Sequence, residues 1–252
     1  MTLSGRFVAA SGSVTGREHR RAERDGQDGH ALVVTDQVVA AIVTDGCSSG
    51  LRCEIGARIG ASWLAALITQ AFGGCGPSRV VDGEAAARAA ANDVASGLLV
   101  RLELLARSLD PGGAIDARRV DETLLFGFLA AVVTPSTTIV FGIGDGIVVV
   151  DDEVTSIDPG PDNAPPYAAY GLLDYAAPTA PRVHFLGATT GIEVVAVATD
   201  GLAPIATTLA TLAGDRRYAV NASLLRKRLV VLSDGGTFSD DATVAVVSRR
   251  ER

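Results

Sequence analysis

Two stretches of the chain repeat one phrase, five apolar residues closing on Thr-Asp-Gly: Val39-Ala40-Ala41-Ile42-Val43-Thr44-Asp45-Gly46 and Val194-Val195-Ala196-Val197-Ala198-Thr199-Asp200-Gly201. A carboxylate delivered by a buried strand to the edge of a core costs several kcal/mol unless something cationic meets it. Asp-Gly is also a leading hairpin signal, and the flanking residues separate the two cases. Asp145-Gly146 runs straight into the apolar Ile147–Val150, so a hairpin turn without a catalytic role is expected there. Asp45 leads through Cys47-Ser48-Ser49-Gly50 into a helical pattern, and Asp200 through Leu202-Ala203-Pro204-Ile205 into another helix start. Both therefore point to a metal.

Asp28, just before a strand at Ala31, and Asp240, just before a strand at Thr243, occupy parallel positions. Aspartate oxygens without neighbouring His or Cys select hard cations such as Mg²⁺ or Mn²⁺ over zinc. Two such ions about 3.5–4 Å apart could share a carboxylate and a bridging water, which would attack phosphorus in a phosphate monoester. His19, His30 and His184 are scattered and read as surface or packing residues, none of them a metal ligand. A thiol beside the site offers redox chemistry, but without a sign of a lowered pKa Cys47 is expected to be a small buried filler.

The elements that must position these groups follow from periodicity. Arg6–Ser11, Ala31–Asp36, Val38–Thr44, Thr123–Val133, Thr137–Ile143, Ile147–Val150, Arg182–Leu186, Glu193–Thr199 and Thr243–Val247 read as strands. Thr137–Ile143 and Ile147–Val150 are expected to pair through the turn at Asp145 as part of an antiparallel meander. One helix is expected over Glu54–Phe72, with Ile55, Ile59, Trp63, Leu67 and Ala71 facing the core, a second over Glu84–Ser108, and helical stretches between Pro204 and Leu229. The Pro- and Gly-rich segment from Pro159 to Pro181 contains an ordered loop, Asn163–Tyr170, expected near the functional site. Strands in runs with helices bunched between them make an α+β layered fold.

Composition narrows the function further. The 252 residues are 48% hydrophobic and 20% charged, enough apolar surface for one large core, and the net charge of −7 argues against nucleic acid or an anionic membrane as partner. Three cysteines, Cys47, Cys53 and Cys75, have no metal-ligand or disulfide-framework spacing, which fits a reducing cytoplasm. The longest apolar runs are broken before the roughly 20 residues a membrane helix needs.

In order and spacing, several blocks resemble the metal-dependent serine/threonine phosphatases of the protein phosphatase 2C family, in its compact bacterial branch. They are Gly12-Ser13 through Gly26-Gln27-Asp28, Val43–Ser49 leading to Ile55-Gly56-Ala57, Gly144-Asp145-Gly146, Asn163–Tyr167, Thr199-Asp200-Gly201 and Asp240-Asp241-Ala242-Thr243. The resemblance implies one catalytic domain over residues 1–252, a four-layer α-β-β-α sandwich of two antiparallel sheets flanked by helices. It implies that Asp45 bridges two Mn²⁺ or Mg²⁺ ions, or two of three, that the Gly46 carbonyl binds one, that Asp200 and Asp240 bind the other, and that Asp28 sits beside them. The substrate would be a phosphorylated protein, opposing a serine/threonine kinase.

Three positions depart from the family pattern: Gln27 stands where many relatives have a glutamate ligand, Cys47 where some have a histidine, and no arginine is in register for the phosphate. Arg20, Arg21 and Arg24 lie in the right stretch, and Arg24 is the candidate for a bidentate phosphate contact; the run Arg17–Arg24 reads equally as a solvated charged face. A catalytically weak or inactive phosphatase-like module that binds a phosphoprotein is the alternative to the enzyme. A phosphatase of small phosphate esters is a third reading.

Overall fold

The computed structural model describes residues 2–73, 81–173, 175 and 180–250. Cys75 lies outside them. In chain order the elements are α1 (Leu3–Arg6), β1 (Phe7–Val14), α2 (Arg17–Arg21), β2 (Gly29–Val34), β3 (Val39–Gly46), α3 (Cys53–Gly73), α4 (Glu84–Ser108), α5 (Ala117–Thr123), β4 (Phe126–Val133), β5 (Thr137–Ile143), β6 (Gly146–Val150), β7 (Glu153–Ile157), β8 (Arg182–Ala188), β9 (Val194–Ala198), α6 (Ala206–Ala213), α7 (Ser223–Asp234) and β10 (Ala242–Arg249). They build two five-stranded antiparallel sheets, β1-β10-β9-β6-β7 and β2-β3-β4-β5-β8.

The continuous apolar runs in the strands reflect burial of both faces of each sheet. Along β3, Val39, Ala41 and Val43 join Val195, Val197, Ala245 and Val247 in a core between the sheets. Ala40 and Ile42 face the other way, into a core with Leu64, Ile68 and Leu98 of α3 and α4. The outer face of the other sheet packs Ala196, Val244 and Val246 against Leu209, Leu225 and Leu229 of α6 and α7. These are the four layers expected.

Two expectations are corrected. First, β6 does not pair with β5: it lies in the other sheet, between β9 and β7. Both edges of β5 are taken, by β4 and β8, so Gly144-Asp145-Gly146 is a crossover between sheets rather than a hairpin turn. Gly144 and Gly146 make the turn at φ +113° and +127°, a region that non-glycine residues rarely adopt.

Second, the buried face of α3 is Cys53, Gly56, Ala57, Gly60, Ala61, Leu64, Leu67, Ile68 and Phe72, which leaves Ile55, Ile59, Trp63 and Ala71 only partly covered. Small residues bring the helix against the sheet, since a Cβ at Gly60 would overlap the Phe126 ring. A pattern of large apolar residues does not register a face made of glycine and alanine. By length and mean hydropathy (1.2 over 18 residues) α3 also meets the measure of a membrane span, but here that face is packed on the sheet.

Candidate metal centre

The parity of β3 sets the site. Odd residues face the gap between the sheets, so the next in line, Asp45, comes out at its edge, while Thr44 turns back to donate to the Ala57 carbonyl of α3 at 2.8 Å. Gly46 then passes so close to the Gln27 carbonyl that a Cβ would lie 2.7 Å from it. That approach sets Gln27 and Asp28 beside Asp45. On the other sheet a Cβ at Gly201 would overlap the Asp241 carbonyl, which draws Asp200 against Asp240 and Asp241. Glycine follows each aspartate because the backbone leading into another strand occupies the space a side chain would need.

One cavity results, lined by six aspartates, Asp28, Asp45, Asp145, Asp200, Asp240 and Asp241, together with Gln27, Gly46 and Ser48. Gly127 and the loop residues Asn163, Pro165 and Tyr167 complete the wall. Among the described residues lining it, none is Lys or Arg.

Asp145 corrects the reading of a turn without a part in the site. Asp241, the neighbour of the predicted Asp240, is 4% exposed and accepts from the Gly16 and Gln27 amides at 2.6 and 2.5 Å. His19 also departs from expectation: its Nδ1 lies 2.9 Å from Asp241 Oδ2, and ligand atoms of His19, Asp240 and Asp241 fall within 4.8 Å of one another. Arg24 does not reach the cavity, because it donates to the carbonyls of Gly50 and Leu51, each at 3.0 Å. Arg20 is turned to Ser233 Oγ at 3.0 Å.

Crowded carboxylates resist ionisation. Burial, reinforced by Asp241, pushes Asp28 up to about 8 against the opposing hydrogen bonds of Thr243 and Thr199. Asp45 is raised by burial and then by Asp28, Asp200, Asp145 and Asp240. Asp145 rises to about 6 through burial and Asp200, and Asp240 rises through burial, partly offset by the Asp241 amide. Divalent cations would reverse each of these effects. The donor set fits them, being all oxygen, and the Gln27 Oε1 on the cavity wall is buried with no hydrogen-bond partner.

The sequence reading did not assign several of these residues to the site. Asp241 was reachable as the second acid of Asp240-Asp241, whereas nothing local marks His19 or separates Asp145 from a hairpin. The Cys53 thiol draws Cys47 below the ordinary thiol range, and the Cys47 thiol, with burial, pushes Cys53 above it.

Comparison with known proteins agrees with this architecture. The serine-threonine phosphatase 2C of Toxoplasma gondii superposes with a TM-score of 0.69 at 16% identity, covering 97% of this chain and 95% of that one. The serine/threonine phosphatase Stp1 of Staphylococcus aureus gives 0.64 at 13% identity, over 100% and 98%. The catalytic domain of the serine threonine protein phosphatase PstP, solved in complex with two manganese ions, gives 0.56 at 13% identity, over 98% and 99%. No curated protein sequence matches the chain. The family model described as protein phosphatase 2C matches residues 15–238, and the two-sheet sandwich with its edge of aspartates is what those residues build: the chain belongs to the protein phosphatase 2C family.

Proposed function

We propose that the chain is a metal-dependent phosphatase that hydrolyses phosphoserine and phosphothreonine monoesters on proteins, as a single catalytic domain over residues 1–252. The observation that carries this is the convergence of six aspartates from both sheets on one cavity without a basic side chain among its described lining. Asp45, the Gly46 carbonyl, Asp200 and Asp240 would hold two Mn²⁺ or Mg²⁺ ions, with Asp28 alongside. Such ions supply Lewis-acid polarisation of phosphoryl oxygens and an acidified water as nucleophile. Support for manganese comes from the PstP catalytic domain, whose structure contains two manganese ions.

The chain's own residues do the positioning. Asp45 projects from the last turn of the β3 pleat between Asp28 and Asp200, the two carboxylates that perturb it most. Ser48 and Asn163 bring a hydroxyl and an amide to the wall, two of the neutral groups available there to orient a phosphoryl group in place of an arginine. Asp241, held by two backbone amides and His19, fixes the neighbouring Asp240. We further propose a cytoplasmic signalling role opposite a serine/threonine kinase, with no nucleic-acid or membrane partner, on the acidic charge of the chain and its lack of a disulfide framework.

A second reading, a weakly active or inactive phosphoprotein-binding module, is favoured by two features: Gln27 stands where the family resemblance implies a glutamate ligand, and Arg24 is spent on loop carbonyls. Hydrolysis of an aryl phosphate and of a phosphothreonine peptide, with Mn²⁺, Mg²⁺ or chelator, separates the two. The phosphatase reading expects metal-dependent turnover that Asp45→Ala and Asp200→Ala abolish, with the peptide preferred. Folded protein inert with every metal would support the binding module.

A further inference from the structure

The segment from Cys47 to Cys53 joins the metal-holding end of β3 to the start of α3, and it is clamped from several sides. The Cys47 amide donates to the Leu125 carbonyl at 3.0 Å, the Gly50 amide to the Cys47 carbonyl at 3.0 Å, and the Arg52 amide to the Glu122 carbonyl at 2.7 Å. Arg24 holds the Gly50 and Leu51 carbonyls from outside. The turn folds directly over the Cys53 sulfur, for a Cβ at Gly50 would overlap it. The Cys53 thiol reaches the Asp121 carbonyl at 3.6 Å and the Cys47 thiol reaches Ser49 Oγ at 3.0 Å. Both cysteines meet at Gly50, whose Cβ position also lies 3.2 Å from the Cys47 carbonyl, and each thiol is the largest influence on the ionisation of the other.

We propose that Cys47 and Cys53 form an oxidative modification site, at which a peroxide converts the two thiols into a disulfide that closes this turn and switches the adjacent metal centre off. Cys47 is 8% exposed and lies in the chain between the cavity-lining Gly46 and Ser48, whereas Cys53 is fully buried, so the oxidant meets Cys47 first. The Cys47 sulfur attacks one peroxide oxygen, the O–O bond breaks, and Cys47 becomes a sulfenic acid with release of one water. The Cys53 sulfur then displaces the hydroxyl, a second water leaves, and the S–S bond forms. Peroxide takes up the two electrons that the two thiols lose.

A disulfide of about 2.05 Å draws the two sulfurs about 1 Å or more inside the closest approach of non-bonded sulfur atoms. Cys47 adjoins Gly46, so the shift passes to the carbonyl and to Asp45 behind it. A misplacement of about 1 Å in a catalytic centre is worth up to about 100-fold in rate. The effect on turnover rests on the phosphatase reading; the disulfide does not.

The whole protein is treated with hydrogen peroxide, free thiols are alkylated, and a non-reduced tryptic digest is read by mass. Cleavage after Arg52 places the cysteines on separate peptides, Asp25–Arg52 and Cys53–Arg58. Expected are these two peptides linked, a fall in turnover of at least tenfold in step with the link, and reversal of both by dithiothreitol. Cys53→Ser should keep its basal turnover and show neither the link nor a dithiothreitol-reversible loss. Linkage only to Ile59–Arg79, which carries Cys75, alkylation of both cysteines after peroxide, or a link with unchanged turnover would overturn the proposal. The link in a protein that never turns over would sink the phosphatase reading and leave the modification site standing.

Discussion

Thr199 donates its hydroxyl to Asp28 Oδ2 at 2.9 Å, tying the end of β9 in one sheet to the entry of β2 in the other. The Thr199 hydroxyl oxygen itself accepts from the Thr243 amide at 3.0 Å. Thr199→Val is expected to strand a buried amide and lower stability by about 1–3 kcal/mol. It should also raise the half-saturating Mn²⁺ concentration by about 10–100-fold, as loss of a partner to a metal ligand does. Thr199→Ser should preserve both. Thermal melts and Mn²⁺ titrations check this, and an unchanged titration in Thr199→Val would show that Asp28 needs no such support.

Asp145 lines the cavity beside Asp200, and its carboxyl is raised by burial and then by that neighbour. Asp145→Asn is expected to reduce turnover by about 10–100-fold without loss of thermal stability, because one of several repelling carboxylates is removed. A residue that merely turned a hairpin would leave kinetics untouched.

Gln27 presents an unpaired buried oxygen to the cavity wall. Gln27→Glu adds a charge where a divalent cation would use it, and an improvement of about tenfold in Mn²⁺ half-saturation is expected, worth about 1.4 kcal/mol. The same variant in chelator should melt lower than the wild type, since it adds another acid to the cluster. Weaker Mn²⁺ binding in Gln27→Glu would exclude that oxygen from the metal centre.

In chelator the cluster makes stability fall as pH rises. Asp28 stands at about 8 when folded, above the ordinary aspartate value of about 3.9, so the folded state holds the extra proton between those pH values. The stability present below pH 4 is lost progressively towards pH 8, at about 1.4 kcal/mol per pH unit for each carboxyl still protonated only in the folded state. Melting temperature in chelator should therefore drop from pH 5 to pH 8, and saturating Mn²⁺ should flatten the drop. A flat profile in chelator would contradict the burial of Asp28 beside Asp241.

Much of the layout was legible because strands and helices carry their own period. The bounds of α4 and β5 match the expectation residue for residue, and the aspartates at the ends of β3 and β9 stand out against apolar runs. The loop from Asn163 to Tyr170, expected near the site from its composition, supplies Asn163, Pro165 and Tyr167 to the cavity. What misled was local chemistry read as if it settled long-range pairing. Gly144-Asp145-Gly146 has the residues of a hairpin, yet β4 and β8 had already filled both edges of β5.

The sequence by itself determined the two buried strands that end in Asp45 and Asp200, the placement of Asp28 and Asp240 before their strands, and the family pattern that joins them. Each of these is a local signal, a few residues whose polarity and period need no distant partner. Only the tertiary structure decided that Asp145 and Asp241 enter the same cavity, that His19 lies on Asp241 across 222 positions, and that Arg24 serves a loop instead of the cavity. Those contacts depend on which sheet a strand joins and how closely glycine backbones approach, and such choices are made by the packing of the whole chain.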